Sequence, residues 1–177
     1  MSGLIRTTLI ASALALGLAG TASAQSAPNA TDTRFMQQAA SDGIAEVQMG
    51  QLALEKASDP QVKELARRIV ADHTKANGHL RALAVRKHVK LPATTTVEAQ
   101  REAADMKAMD GQQFDQAWSN AMVKDHLKAI DLFATESQQA KDADVRKFTD
   151  ATTPALQTHL QMAQKLAGAA STTGTTP

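Results

Sequence analysis

The 177-residue chain carries 19 Lys+Arg against 18 Asp+Glu, with five His and no Cys. So balanced a charge gives no electrostatic footprint for nucleic acid or an anionic membrane surface. The lack of cysteine excludes disulfides, a lipid-modified cysteine and thiol chemistry.

Arg6 is the sole charge before an apolar run of 11 residues, Leu9 to Ala19, which Gly20 breaks and Ala22-Ser23-Ala24 follows. That order of charged, apolar and small residues is the pattern of a secretory signal peptide. The run is too short for a membrane span, which needs ~20 residues. A lone Arg excludes a twin-arginine signal. Residues 1–24 are therefore expected to be a cleaved leader and the rest a periplasmic protein. Loss of Arg6 brings residues 25–177 to formal neutrality, and their length suits one domain with a real core. No other apolar stretch is long enough to span a bilayer.

Residues 25–32 read as a flexible lead, with Asp32 or Thr33 capping a first helix from about Arg34 to Ala57. Its apolar positions, Phe35, Met36, Ala39, Ala40, Gly43, Val47, Gly50 and Leu54, recur at helical spacing. Ser58-Asp59-Pro60-Gln61 starts a second helix, through either a capping box from Ser58 to Gln61 or an Asp59 cap with Pro60 at the first helical position. Its stripe is Val62, Leu65, Ala66, Ile69, Ala76, Leu80 and Leu83, and Pro92 bounds it near Lys90. Thr95 with Glu98 starts a short helix to about Met109, and Asp110-Gly111 is a turn. A third main helix runs from about Gln112 to Gln139 on Phe114, Trp118, Ala121, Met122, Ala129, Ile130 and Phe133. Asp142 caps the fourth, with Val145, Phe148, Thr152, Ala155, Met162 and Leu166 as its stripe and a kink or break expected at Pro154. Residues 168–177 read as a disordered tail. Short links within two helix pairs and a long connection between them predict two antiparallel hairpins joined by a crossover, the ferritin-like way of building an all-α four-helix bundle.

Titratable residues interrupt each stripe. Glu46 lies between Gly43 and Gly50 on the first helix. His73 follows Ile69 by four residues on the second. His126 lies four residues from both Met122 and Ile130 on the third, and His159 four after Ala155 on the fourth. Each is near mid-helix, so the four are expected to meet at one level of the bundle. Buried imidazoles and carboxylates are paired, hydrogen-bonded or metal-bound. One Glu and three His form a ligand set suited to Zn²⁺, Fe²⁺ or Cu²⁺; the bland alternative is a hydrogen-bonded polar layer that sets helix register. Ile69–Ala76 and Met122–Ala129 share the pattern apolar-Val-x-Asp-His-x-Lys-Ala, which adds Asp72 and Asp125 beside two of the histidines. Those aspartates either orient imidazoles or pair on the surface, Asp72 with Arg68 or Lys75 and Asp125 with Lys128. His79 falls on another face, and His88 sits where it can favour the second helix's last carbonyls. Met36, Met49, Met122 and Met162 read as core filler. No Gly-x-Ser-x-Gly elbow or glycine-rich phosphate loop is present.

Phe35-Met36 through Ala45-Glu46, Asp72-His73, Gly111-x-x-Phe114-Asp115 with His126, and Pro154-x-x-x-x-His159-Leu160 together resemble the domain of unknown function 4142 family. The resemblance covers about residues 33–167 and implies an exported bacterial protein of ferritin-like fold, without implying a reaction. Di-iron ferritin-like proteins use Glu-x-x-His. Here Val70, Val123 and Leu156 stand three residues before the histidines, which argues against a carboxylate-bridged di-iron centre. The leading expectation is a non-enzymatic helical bundle holding one divalent metal through Glu46, His73, His126 and His159. The alternatives are an envelope structural or stress-related module with a protein partner, and a metal-dependent oxidoreductase.

Overall fold

A computed structural model describes residues 28–173, with side-chain surroundings to residue 168, as five helices and no strand among those residues. They are α1 (Ala30–Lys56), α2 (Pro60–Arg86), α3 (Val97–Lys107), α4 (Gly111–Gln139) and α5 (Ala143–Thr173). None of the described helices is long and apolar enough to cross a membrane. The expected leader, residues 25–27 of the expected lead and residues 174–177 of the expected tail lie outside the described residues. Ala30–Asp32, expected within the lead, form the first turn of α1, and residues 168–173, expected within the tail, continue α5.

Local chemistry sets the helix ends. Asn29, rather than Asp32 or Thr33, caps α1, its side chain accepting from the amides of Thr31 and Asp32. Asp32 is fully buried and accepts instead from the backbone N–H of Asp142 at 2.9 Å, tying the start of α1 to the α4–α5 link. Asp59 caps α2 with Pro60 at its start. Ser58 is left free for Asp115 of α4, whose carboxylate accepts from the Ser58 hydroxyl and from the Ser58 and Asp59 amides. α2 stops at Arg86, short of the expected Lys90. His88 turns left-handed there (φ 55°), and Val89 N–H bonds back to the Ala84 carbonyl. Thr96, not Thr95, caps α3, and Asp142 caps α5 as expected. α5 runs through Pro154 without a break.

α1 packs chiefly on α2 and α4 chiefly on α5, and the two pairs meet through α2–α5 and α1–α4 contacts; α3 rests on α1 and α4. The core is divided. One apolar half gathers Met49, Leu65, Ile69, Trp118, Met122 and Ala163. The other gathers Phe35, Ala40, Leu80, Phe133, Val145 and Leu156. On each long helix the polar residue falls between the two halves: Glu46 between Ala40 and Met49, His73 between Ile69 and Leu80, His126 between Met122 and Phe133, His159 between Leu156 and Ala163. The buried stripe of α5 is Val145, Thr149, Leu156, His159, Ala163 and Leu166, about one residue round from the expected phase. Trp118 locks one half by donating its indole N–H to the Met49 carbonyl at 3.0 Å.

Candidate metal centre

The polar layer brings three imidazoles together. His126 and His159 are fully buried, and His73 is 8% exposed. Ring centroids lie 5.2 Å apart for His126 and His159, 5.5 Å for His73 and His159, and 5.7 Å for His73 and His126. One nitrogen from each ring lies within 4.8 Å of the other two, the one such group of potential metal donors among the described residues.

The hydrogen bonds assign the protons. His126 Nδ1–H donates to the Met122 carbonyl at 2.9 Å, the helical i−4 oxygen, so its Nε2 carries a lone pair. His159 Nε2–H donates to the Asp72 carboxylate at 3.0 Å, so its Nδ1 carries a lone pair. Those two lone-pair nitrogens face each other at 3.2 Å. His73 Nε2 is buried with no protein partner. Two neutral rings cannot share a hydrogen bond in these tautomers; a proton between them would make one an imidazolium. Burial opposes that charge. It lowers the His73 pKa to about 3, helped by His126 and His159, and lowers that of His126 to about 4, helped by His159 and opposed by the Met122 bond. It also pushes His159 down, against the pull of Asp72. The two nitrogens that His126 and His159 turn toward each other are therefore both unprotonated.

The expected partners divide. Asp72 reaches across to His159 on α5 rather than to its neighbour His73, and also lies 3.8 Å from Arg68 on its own helix. Asp125 makes no hydrogen bond to an imidazole; it lines a cleft with Asp42, Glu102, Lys124 and Lys128. Glu46 joins the layer without joining the three-nitrogen group. Its Oε1 is 3.7 Å from His126 Nδ1, the protonated edge of that ring, and its buried Oε2 has no protein partner. Burial first, then the charges of Asp125, Asp42 and Glu102, raises its pKa to about 8. The Met122 carbonyl, which sets the His126 tautomer, was not a sequence candidate, although the i−4 spacing contains it.

Residues 18–166 match the family described as Domain of unknown function (DUF4142), and the chain belongs to that family. No curated protein matches the chain. Among solved structures, a DUF305 fragment from Deinococcus radiodurans is similar at 14% identity and TM-score 0.71, covering 80% of this chain and 97% of the fragment. CopM in its Cu(II)-bound form is similar at 17% identity and TM-score 0.67, covering 77% of this chain and 95% of CopM. CopM in its Cu(I)-bound form gives 16% identity and TM-score 0.65, with the same two coverages. At such identities the likeness establishes a shared helical fold.

Proposed function

We propose that this DUF4142 chain is an exported, non-enzymatic metal-binding bundle that holds one transition-metal ion on His73, His126 and His159. The observation that carries this reading is the pair of lone-pair nitrogens 3.2 Å apart, with both outer N–H groups already engaged. Imidazoles ligating at ~2.0–2.1 Å in a tetrahedral site stand about 3.3 Å apart, so the His126–His159 spacing already fits a ligand edge. His73, within 4.8 Å, needs a modest swing to complete the set.

Three neutral imidazoles suit copper or zinc better than harder ions. Copper is favoured here, because CopM, of similar fold, is described in Cu(I)- and Cu(II)-bound forms and because Cu²⁺ heads the divalent affinity order. Asp72 fixes the His159 tautomer, as outer carboxylates do at metal-bound histidines. Glu46 sits against His126 as an adjacent carboxyl, and its place as a ligand depends on a change of rotamer. In this reading the bundle is ferritin-like, two antiparallel hairpins joined by a crossover that carries α3. Residues 1–24 are removed on export to the periplasm, where the protein buffers or stores metal.

A second reading, a metal-dependent oxidoreductase, draws on one observation: a cleft of about 500 Å³ reaches His73 and Glu46. The test is to purify the exported protein from periplasm without chelator or affinity tag and to measure bound metal by mass spectrometry, beside a His73→Ala, His126→Ala double variant. Near-stoichiometric metal lost in the variant supports the site. Protein that holds no metal and takes none up on titration overturns it and leaves a register-setting polar layer in an envelope module.

A further inference from the structure

The same cleft bears on how an ion would reach the histidines. It is bounded by α1, α2, α3, α4 and α5, and its lining includes Asp42 and Glu46 of α1, His73 of α2, Glu98 and Glu102 of α3 and Asp125 of α4. Five carboxyls face two lysines there, and one of those, Lys124, is held by Glu102 at 3.2 Å. At the inner end are two buried side chains with unpartnered atoms, Glu46 (7% exposed, Oε2) and His73 (Nε2). On the Asp72 side of the histidine layer, His159 Nε2–H is bonded to the Asp72 carboxylate, and Arg68 Nε stands 3.8 Å from it. The remaining sides are the two apolar halves of the core.

We infer that this carboxylate-lined cleft is the entry path for metal cations, with Asp42 and Asp125 drawing the ion in toward Glu46 and His73 at its inner end. The inference rests on the metal-site reading above and adds its kinetics. A cleft whose lining carries an excess of acidic over basic groups and is walled by low-dielectric protein concentrates cations and raises their association rate, by ~10-fold at the low end of electrostatic steering, an effect that salt removes. Asp42→Asn and Asp125→Asn together keep shape and remove two charges.

Trp118, the sole tryptophan, lies two helical turns from His126 on α4 and reports arrival of a paramagnetic ion by quenching. The experiment is stopped-flow mixing of Cu²⁺ with the metal-free exported protein at low and high salt. It compares wild type, the Asp42→Asn, Asp125→Asn variant, and an Asp131→Asn, Glu55→Gln control at exposed positions outside the cleft. The expected result is an association rate about tenfold lower in the cleft variant at low salt. That deficit should shrink toward nothing at high salt, with the dissociation rate within about twofold of wild type and the control unchanged. A cleft variant that binds at the wild-type rate at both salts overturns the entry path while leaving the metal site standing. A wild-type protein that binds no Cu²⁺ overturns the site itself, and the entry path with it.

Discussion

Glu46→Gln isolates a buried carboxyl whose pKa is strongly raised. Glu46 is buried and has one unpartnered oxygen, and the nearest potential cation, His126, is held neutral. Its folded pKa, pushed up to about 8, stands well above the ordinary 4.5 of a free glutamate, chiefly because burial penalises the charged form. For a carboxyl raised on folding, the stability it lends is fully present below the unfolded pKa and is lost as pH rises through the folded one. Between pH 5.5 and 7.5 the folded state holds this proton almost throughout and the unfolded state almost never does. The span of nearly two pH units at 1.36 kcal/mol each gives roughly 2–3 kcal/mol. Glutamine keeps the shape and removes the titration. Burial pushes His73, His126 and His159 toward the neutral form in both proteins, so their contribution cancels in the difference.

The assay is urea unfolding followed by circular dichroism, with chelator present, for wild type and Glu46→Gln at both pH values. Glu46→Gln should gain roughly 2–3 kcal/mol on wild type as pH rises from 5.5 to 7.5, equivalent to a relative shift of about 5–10 °C in Tm. Parallel stability curves would mean that water or a neighbouring group compensates the carboxylate, and the description of Glu46 as an uncompensated buried acid would be wrong.

Other substitutions test other parts of the structure. Asp72→Asn should weaken metal affinity ~10–100-fold, because the amide no longer forces the His159 proton onto Nε2; chelator competition measures this, and unchanged affinity would remove Asp72 from the site. Gly78→Ala meets nothing within 4 Å and should stabilise by ~0.5–1 kcal/mol through helix propensity. Gly50→Ala would place its Cβ 2.7 Å from a Val70 methyl and 3.3 Å from the Ala66 carbonyl, so it should destabilise by ~1–3 kcal/mol despite the same propensity gain. A thermal melt that ranks the two alanines the other way would contradict the close α1–α2 approach. His88→Gly should raise stability by about 1 kcal/mol in urea unfolding, since His88 is exposed and holds a left-handed φ of 55°.

The helices and the residues of the polar layer were readable in the sequence because both depend on the 3.6-residue period. Glu46, His73, His126 and His159 interrupt apolar stripes at positions that face inward whatever their exact phase. What escaped depends on contacts between distant segments. Asp32 looks like a helix cap locally, yet the α4–α5 link supplies amides that bury it, so Asn29 takes over the cap. α2 ends early because His88 accepts a left-handed conformation, which no neighbouring glycine advertises. The α5 stripe slips by about one residue because small and polar Thr149 and Ala163 fill it, while the larger Phe148 and Met162 sit at its edge. The two Asp-His dipeptides look equivalent, yet only Asp72 reaches an imidazole, and that ring belongs to another helix. Ring edges are invisible to periodicity: the pattern places Glu46 beside His126 but gives no hint that it meets the protonated Nδ1 side.

In the proposed reading, the direction of those ring edges favours a metal centre over a layer that merely sets helix register. A register-setting layer is stabilised by satisfying its own hydrogen bonds, and a half-satisfied buried network is worse than an apolar one. Here each outer N–H is satisfied, by a carbonyl on His126 and by a carboxylate on His159, which turns both lone pairs inward against each other and leaves His73 Nε2 unpaired. Rotating the His159 proton to Nδ1 would repair the contact with His126 but would leave the Asp72 carboxylate without its donor. The side chains thus hold two lone pairs turned toward each other, and burial opposes the proton that would relieve them. A cation that accepts three nitrogen lone pairs removes the conflict without moving either outer bond, and for that reason the function is better sought in what the layer binds than in how it packs.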